Sequence, residues 1–280
     1  MNKQLWRKLL IGDFTWKRMI TSIIFIYTFL AVYVYFRADS MIFLPQPPSY
    51  QDSQNIIKLQ NQDNTKISAI YLPNPQAKYT ILYAHGNAED LGMIQDVLEK
   101  YKKWGFSVFA YDYRGYGTSE GTPTEYHAYQ DIETAYNYLT KEIKIPPEKI
   151  IVLGRSVGGG SAVDLASKKP VGGLILENAF TSAFRVVVPF PLLPFDKFPN
   201  LQKIKTVKVP VFVIHGKLDD TIPFHHGEKL FTAVTSPKMS FWVDKANHND
   251  LIWIAGEKYG KKLQEFADIV SKHHAENHNQ

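Results

Sequence analysis

The pentapeptide Gly154–Gly158 places Ser156 between two glycines, and it limits the possible folds of this chain more than any other motif. It directly follows the apolar run Lys149–Leu153. Glycines on both sides of a serine allow a sharp, strained turn from a strand into a helix, and this turn lifts the hydroxyl out of the sheet. The pattern therefore predicts a strand, a tight turn at Ser156 and a helix behind it. An ordinary Gly-rich turn is the alternative, and residues further along the chain argue against it.

A serine hydroxyl is a weak nucleophile unless a base takes its proton, and a carboxylate must hold that base in one tautomer. Both groups follow Ser156, in the order acid and then histidine. Asp219 comes after the apolar run 211–214, and His248 comes after the apolar segment 240–243. We therefore predict Ser156 as the nucleophile, Asp219 as the acid and His248 as the base.

Other carboxylates compete for the role of the acid. Asp220 lies next to Asp219, but it is one residue further from the end of the strand, so its side chain should point elsewhere. Asp244 and Asp250 lie close to the histidine in sequence and are further alternatives for orienting its ring.

The chain has nine histidines, and their positions single out one of them. Only His248 follows the acid, at the end of a strand and before a long helical segment. His85 and His215 each precede a glycine at a strand end, which favours a hydrogen-bonded structural role. We expect His225 and His226 to open a helix and to be solvated. Adjacent residues on a helix do not face one ligand, so no metal site is predicted there.

The negative charge that builds on a substrate carbonyl oxygen needs N–H donors that are fixed in advance. The backbone N–H of Val157, directly after the serine, is one predicted donor. The other comes from loop 85–90, after the first parallel strand, where we assign the N–H of Asn87. Ala88 takes this role if the loop is wound differently. A simple helix start with Asn87 or Asp90 as N-cap is compatible with either assignment.

Apolar strand patterns alternate with helical patterns along the chain, which indicates an α/β fold with a doubly wound, mostly parallel sheet. Two strands before the first parallel one would add an antiparallel edge, for about eight strands in all. The proline-rich segment Ala179–Phe198 interrupts the alternation and cannot form a long helix. The predicted strands are 54–60, 66–72, 79–84, 106–111, 149–153, 172–177, 211–215 and 239–243.

Five motifs follow one another along the chain, namely His85–Gly92, Tyr111–Gly117, Gly154–Gly159, His215–Asp219 and His248–Leu251. Together they resemble the serine hydrolases of the α/β-hydrolase fold, and within it the bud-emergence-protein-like group of membrane-associated α/β-hydrolase-domain proteins. The resemblance covers roughly residues 40–270. It implies hydrolysis of a carboxylic ester or thioester without a cofactor. It also implies that segment 179–198 is a short apolar lid over the serine, with a core-packing crossover as the alternative.

Two other functions remain open. Amide and ester chemistry share this machinery, so a serine peptidase on the same triad is one alternative. A non-catalytic, membrane-tethered binding or scaffold protein is the other. The depalmitoylating members of the group suggest acylated proteins as substrates, but those members reach the membrane through an N-terminal cysteine cluster. This chain has no cysteine, so that route is closed to it.

The segment Met19–Phe36 contains no charged residue, and as a helix its 18 residues span about 27 Å, close to one bilayer core. More bases than acids precede it, so the positive-inside rule puts the N-terminus in the cytoplasm and the catalytic domain on the far side. A cleaved signal peptide and a helix lying on the membrane surface are the alternatives. The preceding charges are Lys3, Arg7, Lys8, Lys17 and Arg18 against Asp13.

The first 18 residues carry +4 of the net charge of +5, so the rest of the chain has no electrostatic footprint for DNA or RNA. Without cysteine there is no disulfide or thiolate metal site. The expected partners are a small-molecule or lipid acyl ester, or an acylated protein, and the membrane. The predicted parts are a basic segment 1–18, an anchor 19–36, a proline-containing connector 37–53, a catalytic domain 54–271 and a polar tail 272–280.

Overall fold

The computed structural model describes residues 15–278 and divides the chain into two compact units, Met1–Met41 and Ile42–Gln280. The first described element, helix α1 (Trp16–Ile42), has 27 residues and contains an 18-residue window of mean hydropathy 2.0, none of which is buried. By length and composition α1 is a candidate membrane span, and it includes the predicted anchor. Four of the charges that precede that anchor lie outside the described residues: Lys3, Arg7, Lys8 and Asp13.

The second unit is built on eight strands, which are β1 (Ile57–Gln60), β2 (Lys66–Leu72), β3 (Thr80–Ala84), β4 (Ser107–Tyr111), β5 (Ile150–Arg155), β6 (Gly173–Glu177), β7 (Val211–Gly216) and β8 (Lys238–Val243). They form one sheet in the order β1-β2-β4-β3-β5-β6-β7-β8. β2 pairs antiparallel with β1 and β4, and every other neighbouring pair is parallel. The predicted fold class, a doubly wound and mostly parallel sheet with an antiparallel edge, is confirmed.

The helices of this unit are α2 (Gln95–Lys103), α3 (Glu125–Asn137), α4 (Gly158–Lys168), α5 (Ala183–Val187), α6 (Asn200–Lys203), α7 (His225–Ala233), α8 (Leu251–Ala255) and α9 (Glu257–His278). A π-helix (Tyr138–Glu142) and two 3₁₀ turns (Pro147–Lys149 and Ile204–Thr206) complete the element order. Since α9 continues to His278, the segment predicted as a tail is helical as far as the structure describes it.

The two faces of the sheet carry separate apolar cores. Successive residues of a strand point to opposite faces. Accordingly, Leu82 and Val152 pack in one buried cluster with residues of α4, whereas Tyr83 and Leu153 pack in the other with residues of α9. Because both faces are covered, strands β3 to β7 are buried along their whole length. This explains why they read as continuous apolar runs in the sequence.

The edge strand β1 is the least accurate of the predicted strands, since it begins at Ile57 and not at residue 54. The residues before it form a turn, in which the N–H of Ile56 donates to the carbonyl of Ser53 (3.0 Å). An edge strand has a partner on one side only, so a local turn can replace its first residues.

The parallel strands all end at one edge of the sheet, where α/β folds of this kind bind ligands. The loops after β3, β5, β7 and β8 therefore meet there. The predicted lid, segment 179–198, follows β6 and consists of the short helix α5 between stretches of irregular backbone. Its apolar side chains Val187, Phe190 and Leu192 are exposed.

Candidate active site

Ser156 occupies a strained turn between β5 and α4. Its φ is 52°, in the left-handed region that favours glycine, and its N–H donates to the carbonyl of Glu177 on β6 (2.9 Å). Both neighbouring glycines are required by space. A Cβ on Gly158 would lie 2.2 Å from the carbonyl oxygen of Ala84, and one on Gly154 would lie 2.4 Å from the carbonyl oxygen of Gly158. The strand–turn–helix that the pentapeptide predicts is therefore present.

The three residues predicted as a triad come from three different loops, and His248 lies within hydrogen-bonding distance of both Ser156 and Asp219. His248 Nε2 is 3.0 Å from Ser156 Oγ, and His248 Nδ1 is 2.8 Å from Asp219 Oδ2. All three side chains are largely buried, with residue exposures of 6–7%. These distances are within the range that a nucleophile, its base and an orienting carboxylate require.

The carboxylate of Asp219 is surrounded by donors. Its Oδ1 accepts the backbone N–H of Thr221 (3.0 Å) and of Ile222 (2.7 Å), while its Oδ2 also lies 3.4 Å from His215 Nε2. Burial alone would raise the pKa of Asp219, but the hydrogen bonds from His215, His248 and the Ile222 amide outweigh burial and hold that pKa well below its usual range. Asp219 is therefore charged at neutral pH and can stabilise a positive imidazole.

The three rival carboxylates have other partners. Asp220 is exposed and accepts a hydrogen bond from the side-chain amide of Asn247 (3.0 Å). Asp244 is also exposed and forms an ion pair with Lys217 (2.6 Å). Asp250 accepts the backbone N–H of Asn247 (2.7 Å). The geometry thus favours Asp219 over each of them.

The loop after β3 presents one of the two predicted oxyanion donors. The N–H of Ala88 is already used, because it donates to Asn87 Oδ1 (3.0 Å). In the described part of the chain, the backbone N–H groups of Asn87 and Val157 have no protein acceptor. Since Val157 follows the serine and the carbonyl of Ala84 approaches Gly158 closely, loop and helix start are neighbours. The geometry favours Asn87 over Ala88.

The side chain of Asn87 has a role that the sequence did not indicate. Its Nδ2 donates to the carbonyl of Ile42 (2.6 Å), and its Oδ1 accepts from the N–H of Leu44 (3.0 Å) and from the hydroxyl of Tyr116 (2.5 Å). The amide thus pairs with the backbone of the connector on both sides of Phe43, which is itself buried. These contacts fix the loop whose N–H is a predicted donor.

Two of the remaining histidines have the structural roles predicted for them. His85 is fully buried, with Nδ1 2.7 Å from the carbonyl of Gly86 and Nε2 3.2 Å from Asp112. Burial would lower the pKa of His85, but Asp112 outweighs it and raises that pKa. His215 is also buried, and its Nε2 lies 2.9 Å from the carbonyl of Ile222.

The prediction that His226 is solvated was wrong. This side chain is buried, because the loop after β6 covers it and the N–H of Thr181 donates to its Nδ1 (3.2 Å). Burial lowers the pKa of His226 to about 4. In the described part of the chain, no group of three or more His, Cys, Asp or Glu side chains is placed to hold a metal ion.

The chain is similar in sequence to one family model and to several known proteins. A family model described as serine aminopeptidase, S33, matches residues 75–194. Human alpha/beta hydrolase domain-containing protein 17B is 40% identical over 202 residues, which cover 71% of this chain and 68% of that protein. The alpha/beta hydrolase domain-containing protein aho-3 of Caenorhabditis elegans is 38% identical over 203 residues, which cover 70% of this chain and 60% of that protein.

Similar solved structures share the fold at low sequence identity. Esterase Pf2001 of Pyrococcus furiosus superimposes with a TM-score of 0.65 at 20% identity, covering 80% of this chain and 98% of that one. The esterase EaEST of Exiguobacterium antarcticum gives a TM-score of 0.59 at 18% identity, covering 75% and 98%. From the identity and coverage shared with protein 17B, the chain belongs to the alpha/beta hydrolase domain-containing protein 17 family of the α/β-hydrolases.

Proposed function

We propose that this α/β-hydrolase is a membrane-anchored serine hydrolase that cleaves carboxylic esters or thioesters through an acyl-enzyme. The observation that carries the proposal is the continuous chain of contacts from Ser156 Oγ through His248 to Asp219, at 3.0 and 2.8 Å. The low pKa of Asp219 adds support, because an ionised acid is what the base needs.

In the acylation step, Ser156 Oγ attacks the substrate carbonyl carbon while His248 Nε2 takes the hydroxyl proton. The negative charge moves to the carbonyl oxygen, where the N–H groups of Asn87 and Val157 stabilise it. When the carbonyl re-forms, the bond to the leaving group breaks. The proton on His248 passes to the departing alcohol or thiol, and the acyl group stays on Ser156.

Deacylation repeats these roles with water as the nucleophile. His248 takes a proton from water, the resulting hydroxide attacks the acyl carbon, and the same two N–H groups hold the second oxyanion. Collapse of this intermediate releases a carboxylic acid and returns the proton from His248 to Ser156. Asp219 remains ionised throughout and stabilises the charged imidazole. The cycle requires water and no cofactor.

The proposal includes attachment to a membrane through α1, with the N-terminus in the cytoplasm and the hydrolase unit on the far side. The length and hydropathy of α1 support a single span. Protease treatment of sealed vesicles tests the orientation: a C-terminal tag should resist a protease added from the cytoplasmic side. Digestion of that tag would reverse the orientation, and release of the chain by alkaline carbonate would contradict the span.

A peptidase is the second candidate, and one observation favours it: the family model that matches residues 75–194 is described as a serine aminopeptidase. An amide has a poorer leaving group than an ester, so an esterase with this triad should hydrolyse esters much faster than amides. Comparing the two rates therefore distinguishes an esterase from a peptidase. Full-length protein in detergent should therefore be assayed with p-nitrophenyl esters, an acyl thioester and aminoacyl p-nitroanilides. Faster hydrolysis of the anilides would make the peptidase the better description.

The nucleophile is tested directly with a fluorophosphonate probe, which labels activated serines. We expect labelling of the wild type and none of Ser156→Ala. Ser161→Ala is the matched control, because Ser161 is a buried serine on α4 whose hydroxyl donates to the carbonyl of Ala128 (3.3 Å). A folded wild type that is neither labelled nor active would overturn the mechanism and favour a non-catalytic binding protein.

A further inference from the structure

The geometry points to Arg155 as a positioning residue for the base His248, acting on the backbone of the loop that carries it. This inference rests on the proposed function, and it gives a role to a residue that precedes the nucleophile.

The guanidinium of Arg155 joins two loops and the end of β6 at the active-site edge of the sheet. Its Nη2 donates to the backbone carbonyl of His248 (3.0 Å) and to Asn249 Oδ1 (2.7 Å). Its Nη1 pairs with Glu89, and its Nε lies 3.4 Å from Glu177 Oε1. Arg155 is 8% exposed, so its own side chain is largely shielded from water.

The two carboxylates fix the direction in which the guanidinium points. Glu177 is itself held by the hydroxyl of Tyr259, which donates to Oε2 (2.5 Å). The guanidinium is planar, with five donors in a rigid fork. Once Nε and Nη1 are held by carboxylates, the position of Nη2 is set. The carbonyl of His248 is therefore bound by a donor that has little freedom.

A second donor acts on the same carbonyl. The side-chain amide of Asn178, in the loop after β6, donates to the oxygen of His248 (2.9 Å). Two donors on one carbonyl fix the peptide that follows the base, and with it the place from which the imidazole reaches Asp219 and Ser156. A displacement of about 1 Å at reacting groups can cost about 100-fold in rate. Holding this peptide thus bears on the rate.

Arg155 also connects the base to the predicted oxyanion loop. Glu89, its partner through Nη1, accepts the backbone N–H of Gly86 at Oε2 (3.0 Å). A Cβ on Gly86 would lie 2.6 Å from Arg155 Nη1, so this glycine lets the loop pass close to the guanidinium. One side chain therefore sets the distance between the loop that supplies Asn87 and the loop that supplies His248.

Arg155→Lys tests the inference, because it keeps the positive charge but replaces the fork with a single nitrogen that cannot reach both Glu89 and the carbonyl of His248. We expect kcat to fall about 10- to 100-fold with little change in KM, at a temperature where the variant is folded. Each rate is divided by the concentration of active sites, which is titrated with the fluorophosphonate probe. Unchanged kcat per titrated site would overturn the positioning role.

Arg114→Lys is the matched control, because Arg114 is also a buried arginine paired with carboxylates, Asp131 and Asp63, in the same unit. None of its hydrogen bonds within the described part of the chain goes to a triad residue. We expect this variant to lose thermal stability and to keep its kcat. A similar loss of kcat in both variants would mean that Arg155→Lys acts through general destabilisation, and the inference would fail.

Asn249→Ala keeps the inference testable if Arg155→Lys does not fold. Asn249 is exposed, so its removal should be tolerated. The variant lacks one of the two acceptors of Arg155 Nη2, and we expect about a 5-fold loss of kcat. In the double variant the losses should not multiply, because both changes break the same link. Full kcat in Asn249→Ala, or multiplying losses, would contradict the inference, whereas a wild type that is not labelled would instead contradict the proposed function.

Discussion

Two buried arginines of the hydrolase unit, Arg155 and Arg114, have the same chemistry and different positions. Arg114 follows β4; its Nε lies 2.9 Å from Asp131, its Nη1 2.7 Å from Asp63, and its Nη2 donates to Gln130 (3.1 Å). Arg155 ends β5 and also pairs with two carboxylates, but its remaining donors bind His248 and Asn249. In sequence, both arginines lie in polar motifs beside glycines.

The difference between the two arginines lies in which part of the molecule each one binds besides its two carboxylates. Arg114 ties the turn before β2 to helix α3, so its loss should affect the folded fraction and leave the triad in place. Arg155 directly precedes the nucleophile and binds the backbone of the base His248. Its loss should therefore lower the kcat of each folded molecule. Charge and burial alone do not distinguish a structural ion pair from one that positions a catalytic group.

The largest effect is expected at Asp219, in the active-site region that contains Arg155. Asp219→Asn should lower kcat about 10⁴-fold, because an amide neither stabilises the charged imidazole nor holds it in the required tautomer. Asp220→Asn is the matched control, since Asp220 is adjacent and exposed, and its kcat should change only a few-fold. Steady-state kinetics with a p-nitrophenyl ester would check both. A large loss in the control alone would make Asp220 the acid.

The second largest effect is expected on the free energy of unfolding, when Arg114 is replaced. Arg114→Met should lower the free energy of unfolding by about 3–5 kcal/mol, because it removes the only side-chain cation that the structure pairs with the buried carboxylate of Asp131 among the described residues. The kcat of the folded fraction should be unchanged. Denaturant melts of the full-length chain in detergent, together with active-site titration, separate the two quantities. A loss of kcat per titrated site would end the distinction between the two arginines.

Stability should also depend on pH, because His226 is a buried base with a lowered pKa. Burial lowers it, the nearby His225, Lys229 and His215 lower it further, and Asp219 opposes them. The unfolded chain then binds a proton more tightly than the folded one between the unfolded pKa of 6.5 and the folded pKa of about 4. Stability should therefore fall as the pH falls through this window, by about 3 kcal/mol in all.

The measurement is the midpoint of thermal unfolding between pH 7.5 and pH 4, in wild type and in His226→Asn, whose side-chain oxygen can still accept from Thr181. The wild type should lose more stability over this range than the variant, and the two curves should run parallel below about pH 4. Parallel curves over the whole range would mean that His226 is protonated as readily in the folded chain as in the unfolded one.

The smallest effect is expected at the start of α3, the helix that carries Asp131. Thr124 is its N-cap, and the threonine hydroxyl accepts the N–H of His127 (3.0 Å). Thr124→Ala should cost about 1 kcal/mol of stability and leave kcat unchanged. Thr124→Ser, which keeps the acceptor, should lose much less. Equal losses in the two variants would show that the threonine methyl group, and not the cap, is what matters.

Much of the fold could be predicted, because a strand buried on both faces is a continuous apolar run between turns. Strands β2 to β8 lie within two residues of their predicted bounds, while the edge strand β1 starts later. The triad could also be predicted, since strands that run parallel end at one edge and bring the residues after them together. The burial of His226 could not, because it depends on Thr181, which is 45 positions away.

Local patterns and the direction of successive strands are enough to predict the parallel sheet, the strained turn at Ser156 and the order of nucleophile, acid and base. Two contacts could be found only in the folded chain: Asn87 pairs with the connector at Ile42, 45 positions away, and Arg155 binds the loop of His248, 93 positions away. Such contacts form between loops that the folded sheet brings to one edge, and no local pattern of residues specifies which side chains meet there.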